Sequence, residues 1–170
     1  LAGIADLLCL FSALGDWKIA HQDKGEKISE KAVTEFKTFA LNILAHPEQF
    51  RVFNEQTIWK IYEIFLDALA LCGASLSGRP LEGSEHFFYY CIDELDTRRF
   101  IHGNMIAMNI LISLQLQGKD ALFNPNDIQD FFSKAGIAYN LSANKLSFDD
   151  ISIALDKIHK FVNDMKLPYS

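Results

Sequence analysis

Apolar residues recur at three- and four-residue steps along nearly the whole chain, the period of helices that bury one face. Ile4, Leu7, Leu8, Phe11, Leu14 and Ile19 trace the first such face, over about residues 3–20, and Lys24-Gly25 closes it with a polar turn. Ser29 opens a second helix through Val33, Phe36, Phe39, Ala40, Ile43 and Leu44, ending before Pro47. Asn54 suits the N-cap of a third, which carries Ile58, Ile61, Phe65, Leu69 and Cys72 and stops at Gly73.

A loop rich in Gly, Ser and Pro, residues 73–83, leads into the second half, where Ser84 is placed to cap a helix through Phe87, Phe88, Cys91 and Leu95. The basic pair Arg98-Arg99 turns the chain toward His102 and a long apolar helix through Met105, Met108, Ile112 and Leu116 to Gly118. Asn124-Pro125 starts a short helix with proline at the favoured first position. Ser147-Phe148-Asp149-Asp150 has the form of a capping box for a last helix through Ile151, Leu155, Ile158 and Val162. No strand alternation of useful length, internal repeat or low-complexity tract is present. The expectation is an all-α multi-helix bundle of about seven helices, forming one domain over residues 1–170.

Composition narrows the class. With 49% hydrophobic and 22% charged residues the chain is not intrinsically disordered. A net charge of −6, with no basic run, argues against nucleic acid as a partner. Cys9, Cys72 and Cys91 are odd in number, lack C-x-x-C spacing and sit in apolar patterns, so free thiols in a reducing, cytoplasmic protein are expected. No apolar run is long enough to span a bilayer, and Asp6 and Asp16 interrupt the apolar first segment, which makes it a poor signal peptide. An opening at Leu1 inside an apolar pattern suggests a piece of a longer protein.

The candidate chemistry lies in two stretches, Arg79-Pro80-Leu81-Glu82-Gly83-Ser84-Glu85-His86 and Ile101-His102-Gly103. Each histidine is near a glycine at the entrance of a helical pattern, and Asp6, inside an apolar segment, adds a carboxylate that would be costly to bury unpartnered. Two imidazoles and a carboxylate suit a divalent transition metal with coordination positions left open. The plainer reading of any one of them is a helix-terminal polar residue. Antiparallel helices joined at Arg98 would also hold the starts at His86 and His102 apart, unless the connection climbs back. His21, His46 and His159 read as solvent-facing, Asp16-Trp17 as a surface-to-core boundary, and Phe87, Phe88, Tyr89 and Tyr90 as core. There is no G-x-G-x-x-G or P-loop, so no dinucleotide site of its own is visible.

Taken together, Ala2-Gly3-Ile4-Ala5-Asp6-Leu7-Leu8, Ser12-Ala13, Asp16-Trp17 and Ala20-His21 resemble the segment that opens the helical domain of sn-glycerol-1-phosphate dehydrogenases. Arg79-Pro80, Gly83-Ser84-Glu85-His86 and His102-Gly103 resemble that family's later metal-binding segments in the same order, and Leu167-Pro168-Tyr169-Ser170 resembles its C-terminal end. The family is related to iron-containing alcohol dehydrogenases and dehydroquinate synthase. The resemblance implies a dehydroquinate synthase-like C-terminal domain in which Asp6, His86 and His102 bind a divalent metal, zinc or nickel, with iron an alternative. It also implies a missing N-terminal domain for NAD(P), a phosphorylated polyol substrate and a homo-oligomeric full-length enzyme. The isolated chain is then expected to be inactive. Arg79 and the entrance of the His86 helix are candidates for the substrate phosphate.

Asn104 stands where the family commonly has Glu, Glu82 where Ser often precedes the glycine, and Cys9-Leu10 where Lys or Asn is usual. These departures leave two rivals to the dehydrogenase: a helical interaction module with a decayed site, and a metal-dependent cyclase. Asp6 argues against the cyclase, since dehydroquinate synthases generally have Glu there.

Overall fold

The computed structural model describes residues 1–52 and 54–168, so Tyr169 and Ser170 of the family-like tail lie outside the described residues. Eight α-helices and three short 3-10 turns follow one another among them, with no strand. The helices are α1 (Ala2–Leu7), α2 (Leu10–Lys24), α3 (Glu30–Leu44), α4 (Glu55–Ser75), α5 (Ser84–Leu95), α6 (His102–Gln117), α7 (Pro125–Ala135) and α8 (Phe148–Asp164). The all-α expectation holds.

The capping signals explain most of the boundaries. The Ser29 side chain accepts the Ala32 N–H, Asn54 accepts that of Thr57, and Ser147 with Asp150 closes a complete capping box. Gly25 and Gly136 end α2 and α7 in the left-handed conformation that glycine adopts without strain.

Three local expectations are corrected. The first helix is two, because the Cys9, Phe11 and Ser12 N–H groups bond three residues back. That tightened turn breaks the ladder and re-aims α1. The third helix passes Gly73 and ends at Ser75, with Leu76 as the left-handed cap. Ser84 is the first residue of α5 and not its cap. Gly83 takes the cap position, and its own N–H is accepted by Glu85 at 2.8 Å.

The core forms around α6, which is apolar on nearly all sides and buried, as such a helix must be. It packs against α1, α2, α5 and α7. The main core joins Leu8, Phe11, Phe36, Phe50, Ile106, Ile110 and Phe131, and a second cluster joins Phe88, Ile92, Met105, Met108 and Ala154 where α8 covers α5. In α4 the inward residues are Thr57, Ile64 and Ala68, whereas Ile58, Phe65 and Leu69 face outward beside Trp59, Tyr62 and Leu66. Of the stripe that periodicity marks on α4, Ile61 and Cys72 pack against the core, and the rest lies on the outer side.

The connection between α5 and α6 climbs back. From Leu95 to His86 is about 14 Å of helix, within reach of the six irregular residues 96–101. Arg98 anchors the return by donating to Asp96, to the Lys145 carbonyl at 2.6 Å and to Asp150 at 2.9 Å. The start of α6 then lies beside the first turn of α5.

Candidate metal centre

Three elements deliver one side chain each: α1 carries Asp6, the first turn of α5 carries His86, and α6 begins at His102. Gly103 lets α1 and α6 meet, because a Cβ there would fall 1.7 Å from the Ala2 carbonyl oxygen. Gly83 does the same between α5 and α2, where a Cβ would lie 2.6 Å from Asp16 Oδ2 and 2.9 Å from Ala13 Cα. Both glycines are needed for close backbone approach.

Asp6 Oδ1 is the meeting point. His86 Nε2 lies 3.2 Å from it and His102 Nε2 lies 3.0 Å from the same oxygen. Ligand atoms that share one transition-metal ion at ordinary bond lengths stand about 3.0–3.4 Å apart; both distances to Asp6 Oδ1 match this, and all three ligand atoms lie within 4.8 Å of one another. The His86 and His102 rings are 5.4 Å apart, and Tyr89 packs edge-on to His102 at 4.4 Å. Asp6 and His102 keep 44% and 39% of their side-chain surface exposed, which leaves one side of the cluster open.

The electrostatics follow from the pairing. The hydrogen bond from His86 lowers the Asp6 carboxyl, burial opposes it, and the His102 charge lowers it further. Burial pulls His86 down, but hydrogen bonds to Asp6 and Glu85 and their charges outweigh it and raise the imidazole to about 9. Metal binding must therefore displace a proton from His86.

Behind the open cluster is a buried polar layer that sequence reading missed. Glu85 is fully buried and accepts the Ser12 hydroxyl at 2.7 Å, the Gly83 N–H at 2.8 Å and His86 Nδ1 at 3.0 Å. Asp16, read as a boundary residue, is also buried and accepts the Ser84 N–H at 2.7 Å and Gln117 Nε2 at 2.8 Å. Burial and the neighbouring Glu85 charge push the Asp16 carboxyl up to about 6. The only available signal was a polar set at the entrance of α5, beside the histidine itself. Tyr89 and Tyr90, expected in the core, are half-buried beside the histidine rings.

Arg79 has another partner. It is buried in the turn Arg79–Leu81, with its Nε 3.0 Å from Glu26 Oε1. His21, His46 and His159 are exposed, as expected.

No family model matches the chain. Individual proteins do. It is 30% identical over 161 residues, 93% of its length, to a glycerol-1-phosphate dehydrogenase of Thermoplasma volcanium. It is 32% identical over 140 residues, 81% of its length, to that of Thermoplasma acidophilum, and 34% identical over 119 residues, 70% of its length, to that of Picrophilus torridus. The chain corresponds to the C-terminal part of glycerol-1-phosphate dehydrogenases. It spans less than half of those relatives, covering 44%, 38% and 34% of their lengths. No helix among the described residues is long and apolar enough to cross a membrane.

Proposed function

We propose that this chain is the metal- and substrate-binding domain of an NAD(P)-dependent dehydrogenase that interconverts sn-glycerol 1-phosphate and dihydroxyacetone phosphate. The observation that carries the reading is the convergence of His86 Nε2 and His102 Nε2 on Asp6 Oδ1 with one face left open. The names of the relatives, glycerol-1-phosphate dehydrogenases using NAD(P)+, support the substrate and the cofactor. NAD(P) is assigned to a nucleotide-binding domain outside residues 1–170, in a cytoplasmic, homo-oligomeric enzyme.

Asp6, His86 and His102 would hold a divalent ion, zinc or nickel by the family resemblance with iron the alternative; two imidazoles and one carboxylate suit all three. The chemistry such an ion supplies is Lewis-acid polarisation of the substrate's carbonyl or hydroxyl oxygen, where charge develops during hydride transfer. Asp6 contributes the one negative charge among the three ligands, and the two neutral imidazoles keep the ion electrophilic. Tyr89 fixes the plane of the His102 ring, and the exposed side of Asp6 and His102 gives the substrate its approach. Arg79, buried and paired through Nε with Glu26, is the candidate for the substrate's phosphate.

The test is elemental analysis together with turnover. Purified protein should carry about one equivalent of transition metal. The complete enzyme, including any upstream nucleotide-binding domain, should oxidise glycerol 1-phosphate with NAD(P)+. Replacing His86 and His102 with Ala should abolish both; a double variant that retains metal and normal turnover refutes the assignment.

A further inference from the structure

His86 is held by a carboxylate at each ring nitrogen, and only one of the two belongs to the ligand set. We infer that Glu85 is a positioning residue for this centre: its buried carboxylate holds the Nδ1 proton of His86, turns the Nε2 lone pair toward Asp6 and His102, and offsets the charge of the bound ion. The inference rests on the metal-centre reading above and adds to it the group that orients the histidine.

Glu85 is placed for this role by its own hydrogen bonds. Three donors reach it, from Ser12, Gly83 and His86, and an ionised carboxylate is an acceptor only, so all three are satisfied without a proton on Glu85. Asn109 Nδ2 donates to the Glu85 carbonyl at 2.9 Å and fixes the backbone behind it. A neutral imidazole has one N–H. If Nδ1 keeps it for Glu85, Nε2 is left with its lone pair, on the side where Asp6 and His102 meet.

The charges agree. A divalent ion on one carboxylate and two neutral imidazoles carries one net positive charge, and the Glu85 carboxylate, 3.0 Å from His86 Nδ1, offsets it. Cys9 also lies within ligand distance of Glu85 and His86. Its thiol is spoken for, however, donating to the Leu81 carbonyl at 3.1 Å, and the other two members hydrogen-bond each other. That buried trio is the support of the open site and not a second ion site.

Glu85→Gln separates charge from shape. The amide oxygen still accepts from Gly83 and His86, and its NH2 meets Ser12, whose hydroxyl proton, given to Glu85 in the wild type, turns to the Cys9 carbonyl 3.1 Å away. Metal-free wild type and Glu85→Gln, titrated with Co2+ at pH 8, should differ about 10- to 100-fold in affinity, as for other carboxylates behind a metal-bound histidine. Ring-nitrogen NMR of the zinc-loaded wild type should show His86 bound through Nε2 and protonated at Nδ1. Equal affinities in the two proteins overturn the proposal, as does a His86 bound through Nδ1, and the NMR result does not depend on the variant folding. A wild type that takes up no Co2+ or Zn2+ overturns the metal-centre reading itself, and this inference with it.

Discussion

On the Nε2 side of His86, Asp6 and His102 are partly exposed and come from helices brought together by a single glycine contact. On the Nδ1 side, Ser12, Asp16 and Glu85 are buried: Glu85 accepts the Gly83 N–H and the Ser12 hydroxyl, and Asp16 accepts the Ser84 N–H at the entrance of α5. The two sides use the same chemistry of carboxylate and imidazole, yet burial sorts them into different tasks. The open side would hold the proposed ion, in exchange for a proton, and leaves room for substrate to approach it. The closed side is shut off from substrate and satisfied by its own hydrogen bonds, so its task is to hold geometry and charge.

The largest expected effect comes from removing an open-side ligand. His86→Ala or His102→Ala should reduce metal content from about one equivalent to near zero, measured by elemental analysis. The fold should survive His102→Ala, because His102 stands at the first residue of α6 with 39% of its side chain exposed. Loss of cooperative unfolding in that variant would mean that the open side is structural as well.

Gly103→Ala attacks the contact that creates the open side. With a Cβ 1.7 Å from the Ala2 oxygen, α1 must move away, at a cost of about 3 kcal/mol or more and about 6–12 °C in melting temperature. Metal affinity should fall with it. An unchanged melt would show that α1 does not pack on α6 as described.

Asp16 tests the closed side through pH. Its carboxyl is raised to about 6 in the folded protein, so the folded state binds this proton more tightly than the unfolded chain does. Its contribution is fully present below the unfolded value near 4 and is lost as pH rises through about 6. Between pH 4.5 and 7.5 the wild type should therefore lose on the order of 2 kcal/mol relative to Asp16→Asn, which cannot ionise. Parallel stability curves for the two proteins would contradict the raised value.

The last effect is graded. His86 holds its proton up to about 9, so apparent metal affinity should rise up to about tenfold per pH unit between pH 6 and 8 and level off above 9. A flat profile over that range would mean that no proton leaves His86 when metal binds.

Helix identity and most caps were legible because they depend on neighbours within one or two turns: Ser29, Asn54, Asn124 and Ser147 each cap where the pattern placed them. The break at Leu8-Cys9 was not, because Leu7, Leu8 and Phe11 keep helical spacing through it and only the hydrogen bonds record the tightened turn. Nor was the inward side of α4, where Ile64 and Ala68 face the core while Phe65 and Leu69 face out. An apolar residue has the same periodicity whichever face the bundle selects. Asp16 looked like a boundary because its acceptors' donors, Ser84 and Gln117, come from helices 68 and 101 residues away.

The sequence by itself determined an all-helical chain, its caps and the three ligand-type residues in their Gly-flanked settings. It also carried the resemblance to glycerol-1-phosphate dehydrogenases. Only the tertiary structure decided that Asp6 meets partners 80 and 96 residues away. It alone showed that residues 96–101 climb back along α5 and that Glu85 stands behind His86. The reason is range: propensity and capping act within a helical turn, whereas convergence depends on close backbone contacts at Gly83 and Gly103, which no local pattern encodes.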